Sequence, residues 1–375
     1  MSIRVLVDCH AFDDDFRQGI TTYISGLYGA AVKQAENIDF YFASRSPEKL
    51  EPLFGQGENV HYFKLCARGR FRRLIGEFPQ LIKKANIDYA HFQYISPLVK
   101  SCREIVTLHD ILFCDFPQYF SLKYRLSKGF WFRRSAKRAD ILLTVSNYSK
   151  IKISELWKIP EARIIVTPNA VASDWYEVKK SIGPCCLGLP FDHYVLYVGR
   201  LEPRKNHALM VKCFRELRLW ERNIGIVFAG HQAARCVQLQ NELNRLPQEA
   251  EKFVRFWEGV DDKMLKQLYL NASLFVFPSL AEGFGIPPLE AGVLEVPCLC
   301  SDSTAMNDFD FFGAGRFSPY EPEQLKGKLF AFFNGDLRLP SARSIRETIK
   351  QRYSWSYSSE VLLSAVCKDY HSGLS

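Results

Sequence analysis

Short apolar runs alternate with longer stretches of helical period along most of the chain. The run IRVLVDC (3–9) reads as a buried strand, and GITTYISGLYGAAVKQA (19–35) has helical spacing. The strand signal returns in IDFYFAS, VHYFKL, DYAHFQ, EIVTLHD, DILLTVS and ARIIVTPNAV (162–171), with helical segments between several of them. Strands separated by helices of roughly 10–15 residues form crossover units, and these build a parallel sheet. Residues 174–192, DWYEVKKSIGPCCLGLPFD, break the rhythm with glycine and proline and read as a linker. The rhythm then restarts. HYVLYVG, IGIVFAG, KFVRFWEG, SLFVFPS and VPCLCSD read as strands, and the helical patterns NHALMVKCFREL, AARCVQLQNELNRL, DDKMLKQLYLNA and PPLEAGVLE lie between them. Two tandem α/β domains are predicted, over residues 1–176 and 190–352. The tail YSWSYSSEVLLSAVCKDYHS (353–372) carries a helical apolar stripe that caps its own domain or returns to the first.

A length of 375 residues suits two domains of ordinary size. No window reaches the 18 or so apolar residues of a membrane span. The N-terminal MSIRVLVDCHAFDDD lacks the layout of a signal peptide. Eleven cysteines, an odd number, occur without a CxxC pair or zinc spacing, so reduced thiols in a cytoplasmic protein are expected.

Four stretches carry candidate chemistry. In PSLAEGFGIPPLEA, Glu282 and Glu290 flank a glycine turn, Gly283 to Gly285, that leads into Pro287 and Pro288. Open α/β sheets bind ligands beyond the carboxyl ends of their strands. A helix N-terminus there suits phosphate, and the two carboxylates suit sugar hydroxyls. The plainer alternative is one capping and one dipole-paired glutamate. In YVGRLEPRKN, Arg200 and Lys205 could neutralise a diphosphate, or simply form a solvated charged loop. Gly19 opens a helix after the first strand, as a ligand-facing or an ordinary turn glycine. His109 and Asp110 end a strand, where the imidazole could meet a sugar hydroxyl or serve a structural role.

Together these stretches resemble the family-4 glycosyltransferases, the retaining enzymes of the GT-B fold, over nearly the whole chain. The two glutamates match that family's Glu, seven residues, Glu signature, and VGRLEPRKN, LTVSNYSK, VTPNAV and YLNASLFVFPS stand in the expected order. The resemblance implies two Rossmann-like α/β domains facing a central cleft, with a C-terminal helix (355–375) crossing back to the first domain. It implies that Arg200 and Lys205 bind the donor diphosphate and that Glu282 faces the transferred sugar. Gly283, Phe284, Gly285 and Ile286 would hold sugar and phosphate, and Glu290 the nucleotide ribose. His109 would contact the sugar's 6-hydroxyl, Gly19 would leave room for phosphate, Val260 would lie near the nucleobase, and Gly199 belongs to the same donor set. The implied reaction needs no cofactor and no metal, and moves a hexose from a nucleotide-diphosphate sugar to a glycan or lipid-linked acceptor in surface polysaccharide or lipopolysaccharide assembly. LHD, LEPRKN and GIPPLEA look most like the mannosyltransferase-type members of that family, and this resemblance implies GDP-mannose as donor. A UDP-sugar donor, or a non-catalytic sugar-nucleotide or polyanion binder, is the alternative. Single Gly19 in the first loop, Ala170 in VTPNAV and SDSTAMNDFDFFGAG without Pro-Glu depart from the family pattern. DFD (308–310), past the last expected strand, is not expected to hold a catalytic metal.

Net charge is +8, and it is concentrated. Residues 64–84 hold Lys64, Arg68, Arg70, Arg72, Arg73, Lys83 and Lys84 against Glu77 alone. Residues 121–138 hold seven cations and no acid, interleaved with Phe130, Trp131 and Phe132. Such a pattern suits an anionic membrane surface, or a solvated helix with its aromatics in the core. No nucleic-acid motif accompanies it. A cytoplasmic protein, peripheral on the inner face of the membrane, is expected.

Overall fold

The computed structural model describes residues 2–13, 19–180, 183 and 187–372. It contains two compact units, Met1–Ala170 with Tyr353–Ser375, and Val171–Arg352. The expected linker overlaps the start of the second unit; Cys185 and Cys186 lie outside the described residues, and the nine other cysteines are free thiols.

The first unit holds strands β1 (Ile3–Asp8), β2 (Ile38–Ser44), β3 (Val60–Lys64), β4 (Tyr89–Gln93), β5 (Arg103–Leu108), β6 (Ile141–Thr144) and β7 (Ile164–Val166). All pair in parallel, in the order β3-β2-β1-β4-β5-β6-β7. Its helices are α1 (Gly19–Gln34), α2 (Glu51–Phe54), α3 (Arg70–Arg72), α4 (Phe78–Ala85), α5 (Leu112–Asp115), α6 (Leu122–Arg138) and α7 (Asn147–Trp157). A π-helical turn, Arg73–Glu77, joins α3 to α4.

The second unit holds β8 (His193–Val198), β9 (Ile224–Ala229), β10 (Val254–Trp257), β11 (Leu274–Phe277), β12 (Cys298–Ser301) and β13 (Arg316–Phe317), in the order β10-β9-β8-β11-β12-β13. Helices α8 (His207–Glu216), α9 (Val237–Leu243), α10 (Gln248–Glu251), α11 (Asp262–Asn271), α12 (Ile286–Val293), α13 (Pro322–Asn334) and α14 (Ala342–Arg352) accompany it. The final helix α15 (Trp355–Ser372) belongs to the first unit. The sequence reading stopped at β12, so DFD lies between two strands rather than past the last. Asp310 there is ion-paired to Arg352.

The side-chain alternation of strands sorts the first core into two layers. Leu6, Ala90 and Phe92 pack with Phe78 and Ile82 of α4. Val106 and Leu108 pack with Phe132 and Ala136 of α6 and with Ile153 and Trp157 of α7. The intervening residues His91 and Thr107 point to the other face, where they meet Tyr28 and Tyr23 of α1. Helix α15 closes that face. Trp355 sits over Gly26, where an added Cβ would lie 2.0 Å from the indole. Ser358 Oγ donates to the Pro168 carbonyl at 2.7 Å, and Arg103 pairs with Asp369 at 3.1 Å.

Gly26→Ala is therefore expected to destabilise the chain by about 1–3 kcal/mol through overpacking. Trp355→Ala should remove most of that penalty in the double variant. Denaturant unfolding checks this, and additive losses would contradict the notch.

Candidate active site

Each sheet reverses its strand order once, between β1 and β4 and between β8 and β11. Ligands of open α/β sheets sit at that reversal, beyond the carboxyl ends of the strands. The loops leaving β8 and β11 are the two that hold Arg200, Lys205 and Glu282.

A 3₁₀ turn, Pro203–Lys205, shapes the β8 loop. It brings Arg204 and Lys205 onto one carboxylate. Lys205 Nζ lies 2.5 Å from Glu282 Oε1, and Arg204 Nη1 lies 2.9 Å from Oε2. Arg204 also donates to the Ala281 carbonyl at 2.7 Å and to Glu202 at 2.6 Å. Arg200, half exposed, approaches Glu202 at 3.7 Å. The Glu282 amide donates to Thr304 Oγ1 at 2.9 Å. Both Lys205 and Glu282 are buried. Burial alone would raise the Glu282 pKa, yet Lys205 and Arg204 bring it down to about 2. The site thus holds a fixed negative carboxylate clamped by two cations, Lys205 and Arg204.

The turn after Glu282 prepares α12. Gly285 caps it in the left-handed region (φ 102°), and its Cα face lies against Met306, which an added Cβ would meet at 3.2 Å. Pro287 and Pro288 carry no N–H, so the helix offers fewer donors than an ordinary N-terminus. Phe284 is buried edge-on to Phe309, and Gly283 and Ile286 are half-buried. Glu290, on the first turn and a half of α12, accepts a 2.8 Å hydrogen bond from Tyr269. Burial pushes its pKa up to about 7 despite that bond. Gly199 leaves β8 with φ 146°, and an added Cβ would meet the Tyr197 hydroxyl at 2.9 Å. Val260 lies between β10 and α11, at the same sheet edge but two strands from β8.

The first unit carries Gly19 and His109. Gly19 is the exposed first residue of α1, with open space where a Cβ would stand. His109 follows β5 and is buried, with Nε2 2.8 Å from Gln93 Oε1. Tyr23 meets its ring edge-on at 4.9 Å. Burial lowers its pKa to about 3, so the imidazole is neutral.

The structure thus gathers Lys205, Glu282 and the Gly283–Ile286 turn, keeps Arg200 at the rim, and places Gly19 and His109 on the other sheet. Sequence reasoning missed Arg204, Thr304, Tyr269 and Gln93. Arg204 adjoins Lys205, but neighbours converge on one partner only in a tight turn.

Residues 17–175 match the family described as Glycosyltransferase Family 4, and residues 191–334 match Glycosyl transferases group 1. O-antigen chain mannosyltransferase B of Escherichia coli is 29% identical over 275 residues, 67% of this chain and 70% of that one. O-antigen chain mannosyltransferase RfbU of Salmonella typhimurium is 29% identical over 224 residues, 60% of this chain and 58% of that one. Anabaena Alr3699/HepE, solved in complex with UDP-glucose, shares the fold at 15% identity and a TM-score of 0.74, over 98% of this chain and 100% of that one.

One consequence of the geometry is testable without any ligand. The folded state holds the Glu290 proton more tightly than the unfolded chain, its pKa moving from 4.5 to about 7. Stability is therefore lost as pH rises through that interval. Glu290→Gln should melt above the wild type at pH 8 and level with it at pH 4. Thermal scans at the two pH values check this; an equal offset at both would contradict it.

Two doubly wound domains, two matched family regions and a cation-clamped Glu282 opening the Glu-seven-Glu turn place this chain in the family-4 glycosyltransferases of the GT-B fold.

Proposed function

We propose that this glycosyltransferase moves a hexose, mannose from GDP-mannose, to a glycan or lipid-linked acceptor in surface polysaccharide assembly, with retention and without a metal ion. The observation that carries the reading is the convergence of Lys205 and Arg204 on Glu282 at the β8/β11 reversal. The relatives named above support mannose and O-antigen chemistry. In this reading Arg200, Arg204 and Lys205 take up the charge that grows on the departing diphosphate. Glu282, ionised, accepts from a sugar hydroxyl, and Glu290 from the ribose. The acceptor hydroxyl attacks the anomeric carbon from the face the nucleotide leaves. A donor phosphate oxygen takes its proton, so the protein supplies positioning and charge rather than a nucleophile.

Titration with GDP, UDP, ADP and TDP, with EDTA or Mg²⁺, tests the donor by mass-action stabilisation. A rise in melting temperature with GDP alone, unchanged by EDTA, is expected, followed by transfer from GDP-mannose with the anomeric configuration kept. Arg200→Ala, at the half-exposed rim, should lower kcat/KM by about 10-fold or more with little change in stability. A shift with UDP alone would replace the donor. Binding without transfer would leave a non-catalytic sugar-nucleotide protein.

The second part of the proposal is peripheral attachment at the inner face of the membrane. Among the described residues no helix is long and apolar enough to cross a bilayer. Leu122, Leu126 and Phe130 stand exposed at four-residue intervals on α6, and Arg133 and Lys137 continue the same stripe. Phe71 and Ile75 are exposed on the preceding basic segment, and Arg70 there acts electrostatically on Lys128. The basic segments are not wholly free surface. Arg73 is buried against Asp8, Arg134 and Arg138 donate to the Pro97 and Leu98 carbonyls, and Phe132 is in the core. What is left is an apolar stripe rimmed by cations, the composition of an interfacial helix. Co-sedimentation with vesicles containing phosphatidylglycerol is expected at low salt, and a Leu126→Glu, Phe130→Glu variant should stay in the supernatant. Equal binding to neutral vesicles, or preference for RNA, would overturn the assignment.

A further inference from the structure

The first unit contains a buried polar chain that ends on His109. On β4, His91 and Gln93 are two residues apart and share a face; on β5 and its end, Thr107 and His109 do the same, and the strands align Gln93 with Thr107. His109 Nε2 lies 2.8 Å from Gln93 Oε1, and Gln93 Nε2 lies 3.3 Å from His91 Nε2. His91 Nδ1 lies 2.6 Å from the Tyr28 hydroxyl, and its Nε2 lies 2.7 Å from Thr107 Oγ1. Tyr23 extends the chain sideways, 3.3 Å from Thr107 Oγ1 and 2.7 Å from Thr167 Oγ1. Tyr23, Tyr28, His91, Gln93, Thr107, His109 and Thr167 are all buried.

With the Gln93 amide oxygen turned towards His109 and its nitrogen towards His91, donor and acceptor bookkeeping gives this chain a direction. An amide oxygen only accepts, so His109 carries its proton on Nε2. An amide nitrogen only donates, so His91 Nε2 is bare and its Nδ1 proton goes to Tyr28. Thr107 then donates to the same bare nitrogen. The two histidines hold opposite tautomers because one glutamine side chain lies between them. The other nitrogen of His109, Nδ1, is left as an acceptor, with no partner among the described residues.

We propose that Gln93 is a positioning residue of the transferase: it locks His109 as the neutral Nε2–H tautomer, so that Nδ1 accepts a hydroxyl of the bound sugar. The inference rests on the reading of His109 as a donor-sugar contact. The purpose of such a lock is specific. A sugar hydroxyl both donates and accepts, so an imidazole free to exchange tautomers would hold it in two orientations. Burial keeps both imidazoles neutral, with pKa values near 3. The titratable groups around them are Tyr23 and Tyr28 from α1, Tyr94 after β4, and Asp8 at the end of β1, which acts on His91. Among the described residues no carboxylate hydrogen-bonds either ring, and an amide orients His109 without charging it.

Long-range ¹H–¹⁵N spectra of histidine-labelled full-length protein read the tautomers directly, with His109→Asn and His91→Asn used to assign the signals. The expected wild-type pattern is a protonated Nε2 on His109 and a protonated Nδ1 on His91. Gln93→Leu should average the His109 pattern and lower kcat by about 10-fold, the low end of what loss of the outer partner costs a metal-bound histidine, with donor KM unchanged. Gln93→Glu keeps the acceptor but adds charge and raises the His109 pKa. Its kcat should fall as pH drops through that raised value, while the wild-type His109, with its pKa near 3, contributes no such fall. A wild-type His109 protonated on Nδ1, or Gln93→Leu with full kcat, overturns the proposal. So does a Gln93→Leu defect confined to melting temperature, since a purely structural glutamine would move nothing else. Absence of sugar transfer by the wild type counts against the functional reading, whereas the tautomer spectra report on the lock by themselves.

Discussion

A carboxylate buried between two cations is the arrangement around which the second unit is organised. Removing three charged groups from water costs several kcal/mol each, and attraction offsets that only when every oxygen and proton is matched. Glu282 meets the condition: Lys205 takes one oxygen and Arg204 the other, while Arg204 also holds Glu202 and the Ala281 carbonyl. The backbone follows from it. The Leu280 amide donates to the Arg204 carbonyl at 2.8 Å, and Ser303 Oγ returns to the Leu280 carbonyl at 2.8 Å. The loops after β8, β11 and β12 are thereby tied to one another at the edge where the sheet reverses its order. The glycine turn and α12 inherit their place from that knot.

The first unit solves the opposite electrostatic problem. Its candidate ligand contact, His109, is buried with an amide, a histidine and two tyrosines rather than with ions. A neutral imidazole suits a hydroxyl, whereas a fixed carboxylate among cations suits a ligand that is both polyhydroxylated and anionic. Both stand at the carboxyl edge of an open parallel sheet, Glu282 at the strand-order reversal and His109 one strand away from it, so one topology hosts two unlike electrostatic settings.

The fold was legible because parallel strands buried on both faces read as unbroken apolar runs, and here they are long and well separated. The two-residue β13 has no such run: Arg316–Phe317 gains its strand geometry only by pairing with Cys300 and Ser301. Glu282 and Lys205 were visible as residues of the right type near strand ends, but their contact across 77 positions was not. Arg204 was hidden by its neighbour. In an extended loop the two side chains would diverge, and the 3₁₀ turn over Pro203–Lys205 is what makes them converge. Gln93 shares its strand face with His91 by simple alternation, yet its partner is fixed by the β4–β5 register, which no local pattern encodes.

The aromatic content of α6 shows the same limit from another side. FWF reads as three core candidates, and helical geometry lets only Phe132 face the sheet, turns Trp131 to a half-buried flank and leaves Phe130 exposed. A helix that needed only to cover its strands would carry a polar residue at that position, and at Leu122 and Leu126 above it. Exposed large apolar side chains repeated at helical spacing have a standing cost in solubility. Seven cations on the same helix offset that cost without removing the stripe. The stripe and its cations thus share one face of α6, on the layer of the first unit opposite α1 and the His109 chain.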